Sequence, residues 1–583
     1  MTSATPTRGT IPIPEFAGGV PASSKELMKS ALQILRGGKD AWISASLARR
    51  VHLLDELIQS FSEVSREWVL ASVEAKGIGM DSSLAAEEWL AGPFAILRNL
   101  RLLRRSLDDI QRLGRPGFSG PVRTRADGQV AVQVFPHDAY DRLLFAGFGA
   151  EIWMEPGLTR EELSESQATA YRGRRRDGKV VLVLGAGNVS SIAPMDALYK
   201  LFVETHVVLL KLNPVNAYLG PLIEKGLRPL FSKGLLRTTY GGAAEGAYLC
   251  HHPLVDEIHI TGSDKTHDAI VFGSGSDGEL RKARRQPLLN KKITSELGNV
   301  SPVIVVPGPW STGDLDFQAR NLVSMLTNNA GFNCNATRVI IQQAEWSLRP
   351  DLLTAIQKQL SSVSTRTAYY PGAAGRYASF LQAHPGALEF GKRRGEILPW
   401  CFIPGVNPEN EADICFSTEA FCGVFAETTL SAKTVPEYIE YATDFANETL
   451  WGTLNATLLV HPASLKDAAV ARAVKRSISR LRYGTVALNH WPAIGYGLVI
   501  TPWGTFPGQD VYDIQSGIGS VHNTLMFSRP QKSVIQGPFR VRPTPPWFVG
   551  HRTAGQLSPR LASFQGKPSP LKLPAIVWSA LRG

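Results

Sequence analysis

Residues 180–191, VVLVLGAGNVSS, divide the chain into two kinds of sequence. Val180 to Leu184 is a short apolar run that stops at Gly185-Ala186-Gly187, so it reads as a buried strand closed by a tight turn. Beyond it, apolar runs alternate with helical patterns, and Val207 to Leu212, Glu257 to Ile260, Ser301 to Val306 and Thr337 to Gln342 read as further strands. Such alternation predicts parallel, doubly wound α/β sheets. Ahead of it, from Lys25 to Leu113, the pattern is helical. Leu97, Leu100, Leu103, Leu107 and Ile110 recur at helical spacing up to the stop Gly114-Arg115-Pro116-Gly117. On that last helix Arg98, Arg101, Arg104 and Arg105 read as a solvated face. Val130 to Phe135 reads as a strand, Arg172 to Lys179 as a basic loop, and residues 1 to about 20 as a loose Pro/Gly/Thr-rich arm. The stretch after about Thr524, rich in Pro, Arg and Trp (RVRPTPPWF at 540–548), reads as a C-terminal tail expected to pack on the body or on a neighbouring subunit.

At 583 residues the chain exceeds one hydrophobic core, so two or three domains are expected. Apolar residues at 44% and charged residues at 19%, with 53 Gly and 38 Pro, exclude a disordered or fibrous protein. The five cysteines (Cys250, Cys334, Cys401, Cys415 and Cys422) are odd in number and confined to the later part of the chain. That argues against a disulfide framework and for a reducing compartment. The N-terminus lacks a basic start followed by an apolar run, and Leu201 to Leu212 is broken by Glu204, His206 and Lys211. A soluble, cytoplasmic protein is expected. The net charge of +11 is spread over the whole chain, so nucleic-acid binding is not expected.

Four segments carry chemistry. Gly185-Ala186-Gly187-Asn188-Val189-Ser190 lacks the third glycine of a dinucleotide fingerprint and reads as a turn. NNAGFNCNATR, Asn328 to Arg338, sets Cys334 among polar neighbours on a loop; from the residues alone a nucleophile and a core cysteine are both open. Glu296 precedes a Leu-Gly turn and reads as a cap, a surface acid or a base. Thr261-Gly262-Ser263 ends a strand and suits either a phosphate at a helix start or an ordinary N-cap. His251, His252 and His259 lie close in sequence without the spacing of a zinc site, so no metal is expected.

In order, these segments resemble the aldehyde dehydrogenase superfamily over residues 180 to 520. Asn188 is followed 23 positions later by Lys211-Leu212-Asn213-Pro214, then Ile260-Thr261-Gly262-Ser263, Glu296-Leu297-Gly298-Asn299 and Gly331-Phe332-Asn333-Cys334 with Arg338. Glu419-Ala420-Phe421-Cys422-Gly423, Trp451 to Leu454 and Gly484 to Asn489 complete the series. The sequence departs from the family at Asn299, Phe332 and Cys422-Gly423. It departs also at His267, where the phosphate turn usually continues with Gly, and at Pro214, where many relatives carry an acid on the adenosine ribose.

The resemblance implies an α/β fold with a Rossmann-type cofactor domain and an α/β catalytic domain. The implied spans are 1–295 (helical part and cofactor domain), 296–500 (catalytic domain) and 501–583 (return to the cofactor domain, then tail). It implies NAD or NADP as cofactor and an aldehyde as substrate. Cys334 would be the nucleophile, Glu296 the base and Asn188 an oxyanion donor. Lys211 and Glu419 would hold ribose hydroxyls and Ser263 would face the pyrophosphate, with Gly262, Leu297 and Phe421 beside them. Trp491, Trp503 and Phe506 suit an apolar or bulky substrate, or packing. A homo-dimer or tetramer is implied, although residues 150–179, where a β-hairpin arm is expected, read as helical and charged. Two rivals share the fold. One is a CoA-acylating dehydrogenase or acyl-CoA reductase, suggested by the basic run Arg281 to Lys292, which otherwise reads as a solvated loop. The other is a non-catalytic binding protein.

Overall fold

Ser24 and Ser46 start the two long N-terminal helices. Their hydroxyls accept from Leu27 N and Arg49 N and cap Lys25–Ile43 and Leu47–Ala75. This is a computed structural model, and it describes residues 8–16, 19–172 and 177–583. Parts of the expected loose arm and of the basic loop at 172–179 lie outside the described residues. The second helix buries Leu53, Leu54, Leu57, Phe61, Val64 and Trp68, one stripe at helical spacing, against Ala95–Leu113. Ala95–Leu113 ends at Gly114, whose φ of 75° closes the last turn.

The arginine face of that helix is not solvated throughout. Arg98 is fully buried, pairs with both oxygens of Asp141 at 2.8 and 3.0 Å, and donates to Leu498 O at 3.0 Å. The helix is enclosed because the C-terminal helix Ala554–Gly566 packs on it as well. The tail therefore packs on the body: Phe94, Leu557, Leu561, Phe564 and Ile576 form a small core of their own.

Two sheets follow. The first has six strands in the spatial order Gly517–Ile518, Lys292–Glu296, Glu257–Thr261, Val180–Leu184, Val207–Lys211 and Leu236–Thr239. All pair in parallel except the Gly517–Ile518 edge. Leu184 aligns with Lys211 and Thr261 with Glu296, so these strands end along one edge, where doubly wound sheets bind ligands.

The second sheet has eleven strands. From Trp400–Val406 through Val424–Leu430, Thr337–Gln343, Ser301–Val305, Asn455–Leu459 and Thr485–Leu488 to Pro530–Gln536 it is parallel. Antiparallel strands extend it, Leu388–Phe390 at one edge and Gly149–Met154, Val130–Phe135 and Val122–Thr124 at the other. Chain from before 296 and after 501 thus enters this sheet, so the molecule crosses between sheets more often than three consecutive spans imply. Residues 149–154 are a strand where helix was expected, because Pro530–Gln536, far away in sequence, supplies the ladder. Part of the expected loop at 281–292 is helical, as the end of Gly275–Ala283. Among the described residues no helix is long and apolar enough to cross a membrane.

Candidate active site

The cysteine loop is built by an abrupt change of backbone. Thr312–Thr327 is a helix opened by a capping box between Ser311 and Asp314. It ends at Asn329, Ala330 and Gly331, with φ of 52°, 55° and 82°. This left-handed run costs energy at Asn329 and Ala330 and needs outside support. At Gly331 a Cβ would lie 2.6 Å from the Cys422 carbonyl, so the close approach of two backbones requires glycine. Arg338 fastens the same contact, donating to Cys422 O at 2.6 Å and Gly331 O at 2.7 Å.

Further support comes from the end of the second N-terminal helix. Buried Lys76 donates to Glu88 (2.7 Å), Asn329 Oδ1 (2.9 Å) and Asn188 O (3.2 Å). The Tyr369 hydroxyl lies 2.9 Å from both Asn188 O and Asn329 Oδ1, which share its one proton. One amide proton of Asn188 is spent on Phe332 O at 2.9 Å, which leaves the second for another acceptor. Phe332 packs among Tyr369, Tyr370 and Phe421, with ring centroids 5.0 to 5.9 Å apart.

Asn188, Lys211, Gly262, Ser263, Glu296, Leu297, Cys334, Glu419 and Phe421 all line one cavity of about 550 Å³. All nine were singled out from sequence, and the structure brings them together. Glu296 ends its strand, 4% exposed, with Oε1 lacking a partner. Burial pushes its carboxyl up to about 8, against hydrogen bonding from Cys334 and Trp503. Cys334 is half-buried. Burial, then the charges of Glu296 and Glu419, lift its thiol well above the usual range. Burial raises Glu419 to about 7, opposed by Arg338, and its Oε1 also lacks a partner. A Cβ on Gly298 would overlap Glu419 Oε2, so the turn after Glu296 must be glycine for that carboxylate to fit. Burial lowers Lys211 to about 8, against the charges of Glu245 and Glu15.

Ser263 is an N-cap, its hydroxyl accepting Thr266 N at 3.1 Å, while its loop borders the cavity. His267 does not narrow that helix start: it is fully buried beside Asp268 and is not among the lining residues. Gly187 marks a close approach, since a Cβ there would lie 2.6 Å from Asn213 Oδ1. Trp503 is buried beside Leu454, Val521, Tyr496 and Cys334; Trp491 donates to Asn335 O at 2.7 Å and so holds the cysteine loop. Lys532 Nζ lies 5.1 Å from the Phe506 ring centre.

Sequence reasoning missed Lys76 and Tyr369. It also missed the N-terminal segment, whose residues Thr10 to Phe16 supply part of the cavity wall. The expected loose arm is thus anchored over the described residues 8–16: Gly9–Thr10 pairs with Thr418–Glu419. Only the extended character of Ile11-Pro12-Ile13-Pro14 hinted at a strap.

Residues 210–369 match the aldehyde dehydrogenase family. The human 4-trimethylaminobutyraldehyde dehydrogenase is 32% identical over 134 residues, 22% of this chain and 23% of that protein. The N-succinylglutamate 5-semialdehyde dehydrogenase of Ectopseudomonas mendocina (strain ymp) is 27% identical over 187 residues, 31% of this chain and 34% of that protein. These matches span about a quarter to a third of those relatives' length. Similar solved structures include the NADP-dependent glyceraldehyde-3-phosphate dehydrogenase of Bacillus halodurans C-125 complexed with NADP. It has a TM-score of 0.59 at 18% identity and covers 88% of this chain and 92% of that one. The NAD-dependent aldehyde dehydrogenase of Sinorhizobium meliloti scores 0.59 at 19% identity, over 92% of each chain. The fold is that of the aldehyde dehydrogenases. The family match itself spans residues 210–369 of this chain.

Proposed function

We propose that this protein oxidises an aldehyde to a carboxylic acid with NAD or NADP, through a covalent thioester on Cys334. The observation that carries this reading is the single cavity in which Cys334, Glu296 and Asn188 meet Lys211, Glu419 and the Ser263 loop. The residues fit a dinucleotide. The cavity runs along the carboxyl ends of parallel strands, Glu419 presents an unpaired oxygen, and Gly298 leaves the space that carboxylate needs. Lys211 and Glu419 would hold ribose hydroxyls, the 262–263 loop the pyrophosphate, and Leu297 and Phe421 the ring beside Cys334.

In the reaction the Cys334 sulfur bonds to the aldehyde carbon as Glu296, in its carboxylate form, takes the thiol proton. The carbonyl electron pair moves to oxygen, and this oxyanion faces the remaining Asn188 amide proton and the Cys334 backbone N–H. A bound nicotinamide would supply the acceptor for the hydride on that carbon. Glu296 releases the thiol proton to solvent; water then attacks the thioester left on Cys334 and gives a proton to the Glu296 carboxylate, the C–S bond breaks, the acid departs and Glu296 returns that proton to the sulfur. A buried base beside the nucleophile favours water over CoA as the acceptor.

The test is reduction of NAD and NADP by wild type and Cys334→Ala. The aldehyde panel would be aliphatic, aromatic, trimethylamino- and carboxylate-bearing, with and without CoA. Turnover without CoA that is lost in Cys334→Ala supports the proposal. Turnover only with CoA replaces it with the acylating reaction. Turnover unchanged in Cys334→Ala removes the thioester.

A further inference from the structure

The N-terminal segment runs along the cavity from Thr418–Glu419 to the start of the Ala243–Cys250 helix. Gly9–Thr10 adds a parallel strand to Thr418–Glu419, with Thr10 opposite Glu419. Thr10 N donates to Asp264 Oδ1 at 3.1 Å, and the Thr10 hydroxyl bonds the same oxygen. Gly9 has a φ of 118°, and a Cβ there would overlap the Asp264 carboxylate. Further along, Glu15 Oε1 accepts Ala243 N at 3.0 Å, at the start of the Ala243–Cys250 helix. Ser23 and Tyr240 are paired in both directions, Ser23 N to Tyr240 O and Tyr240 N to Ser23 Oγ. Between these anchors Ile11, Ile13, Pro14, Glu15 and Phe16 face the cavity.

This wall bears on a defect in the site. In doubly wound nucleotide folds a carboxylate near the end of the second strand accepts the ribose 2′-hydroxyl of NAD and repels the 2′-phosphate of NADP. Here the second strand ends at Lys211, and the turn after it offers Asn213 and Pro214, neither of them an acid. Asn213 is committed to its own turn, its Oδ1 accepting Val215 N at 3.0 Å. Two carboxylates bring negative charge to Lys211, those of Glu245 and Glu15. Glu245 accepts Gly242 N at 2.7 Å at the start of its helix and does not line the cavity. Glu15 is solvent-accessible, lines the cavity with Lys211, and has one oxygen tied to Ala243 N.

We propose that Glu15, carried on the N-terminal arm, supplies the carboxylate that meets the adenosine ribose beside Lys211 and so selects NAD over NADP. This rests on the dinucleotide reading of the cavity. The arm delivers to the end of the second strand an acid that the strand's own turn lacks. The β-pairing at Thr418–Glu419 and the bonds to Asp264 fix its depth in the cleft, and the Ala243 N–H fixes the carboxylate laterally.

The test is equilibrium binding, which needs no aldehyde. NAD and NADP are titrated separately into wild type, Glu15→Gln and Glu15→Arg by calorimetry, with thermal melts of all three to confirm folding. A hydrogen bond between an uncharged and a charged group is worth ~1.5–3 kcal/mol, about 10- to 100-fold in Kd. Wild type is therefore expected to bind NAD at least about tenfold more tightly than NADP. Glu15→Gln should bring the two within a few-fold of each other, chiefly by weakening NAD, and Glu15→Arg should make NADP the tighter ligand. A ratio unchanged in both variants overturns the role of Glu15 while leaving the dinucleotide site standing. Tighter binding of NAD in Glu15→Gln would overturn it too, by showing that the arm obstructs the cleft. Failure of both dinucleotides to bind wild type would overturn the dinucleotide reading itself.

Discussion

Replacing Lys76 with methionine keeps most of the side-chain volume and deletes the charge. Its Nζ lies 2.7 Å from Glu88 Oε1, and the two side chains are 4% and 2% exposed. Glu88 Oε2 already lacks a partner, so in Lys76→Met the carboxylate would be left buried and uncompensated. Removing one member of a buried ion pair costs about 3–5 kcal/mol. Asn188 O would retain two donors, Asn329 Nδ2 and the Tyr369 hydroxyl, whereas Asn329 Oδ1 would retain only Tyr369. The loss should therefore fall more on the left-handed turn leading to Cys334 than on Asn188 itself. Neutralising Glu88 as well should restore part of the stability, with a coupling of about 1–3 kcal/mol in the double-mutant cycle. Urea unfolding of wild type, Lys76→Met, Glu88→Gln and the double variant, followed by tryptophan fluorescence, measures these terms. The rate of Cys334 alkylation in folded protein reads out the loop and should change in Lys76→Met. A loss below about 1 kcal/mol in Lys76→Met, or strict additivity of the two substitutions, would refute the reasoning, since a buried compensated pair can show neither.

Three further outcomes are expected. Glu296 acts as a base when ionised, so single-turnover thioester hydrolysis should rise with pH through about 8 and level off, and Glu296→Gln should abolish that step; a flat wild-type profile would assign the base elsewhere. The same shift has a stability consequence of fixed sign. A carboxyl raised from 4.5 to about 8 on folding favours the folded state fully below the unfolded value, and that contribution is lost as pH rises through 8. Glu296→Gln should accordingly melt above wild type at pH 9 and gain less at pH 5, and the opposite order would be inconsistent with a buried, uncompensated acid. Gly298→Ala would drive Glu419 out of its place; dinucleotide binding should weaken by about tenfold or more, the worth of one hydrogen bond to a charged group, while unchanged calorimetric affinity would remove Glu419 from the cofactor site.

Local pattern was enough for a large part of this molecule. Val180–Leu184 has the bounds read from sequence, because a short apolar run between polar turns has few alternatives. Gly114 stops its helix through a φ that glycine adopts at no steric cost. The nine site residues were legible because each lies at the end of a strand or in a turn with its own sequence signature, and their order along the chain identified the set. That they share one cavity follows from parallel strands, which bring their carboxyl ends to one edge. Other features depend on partners that no local window contains. Lys76 reads as one more helix-end lysine until Asn329, 253 residues later, presents its amide oxygen. Arg98 reads as solvated until Leu498 and the C-terminal helix close over it. Residues 149–154 become a strand because Pro530–Gln536 completes their ladder, and a Pro-rich arm becomes a cavity wall because Thr418–Glu419 offers it an edge. Sequence determined which groups could do chemistry. Tertiary structure decided which are buried, what opposes their charge and therefore how strongly each is shifted, since desolvation and Coulomb terms depend on neighbours brought together only by folding.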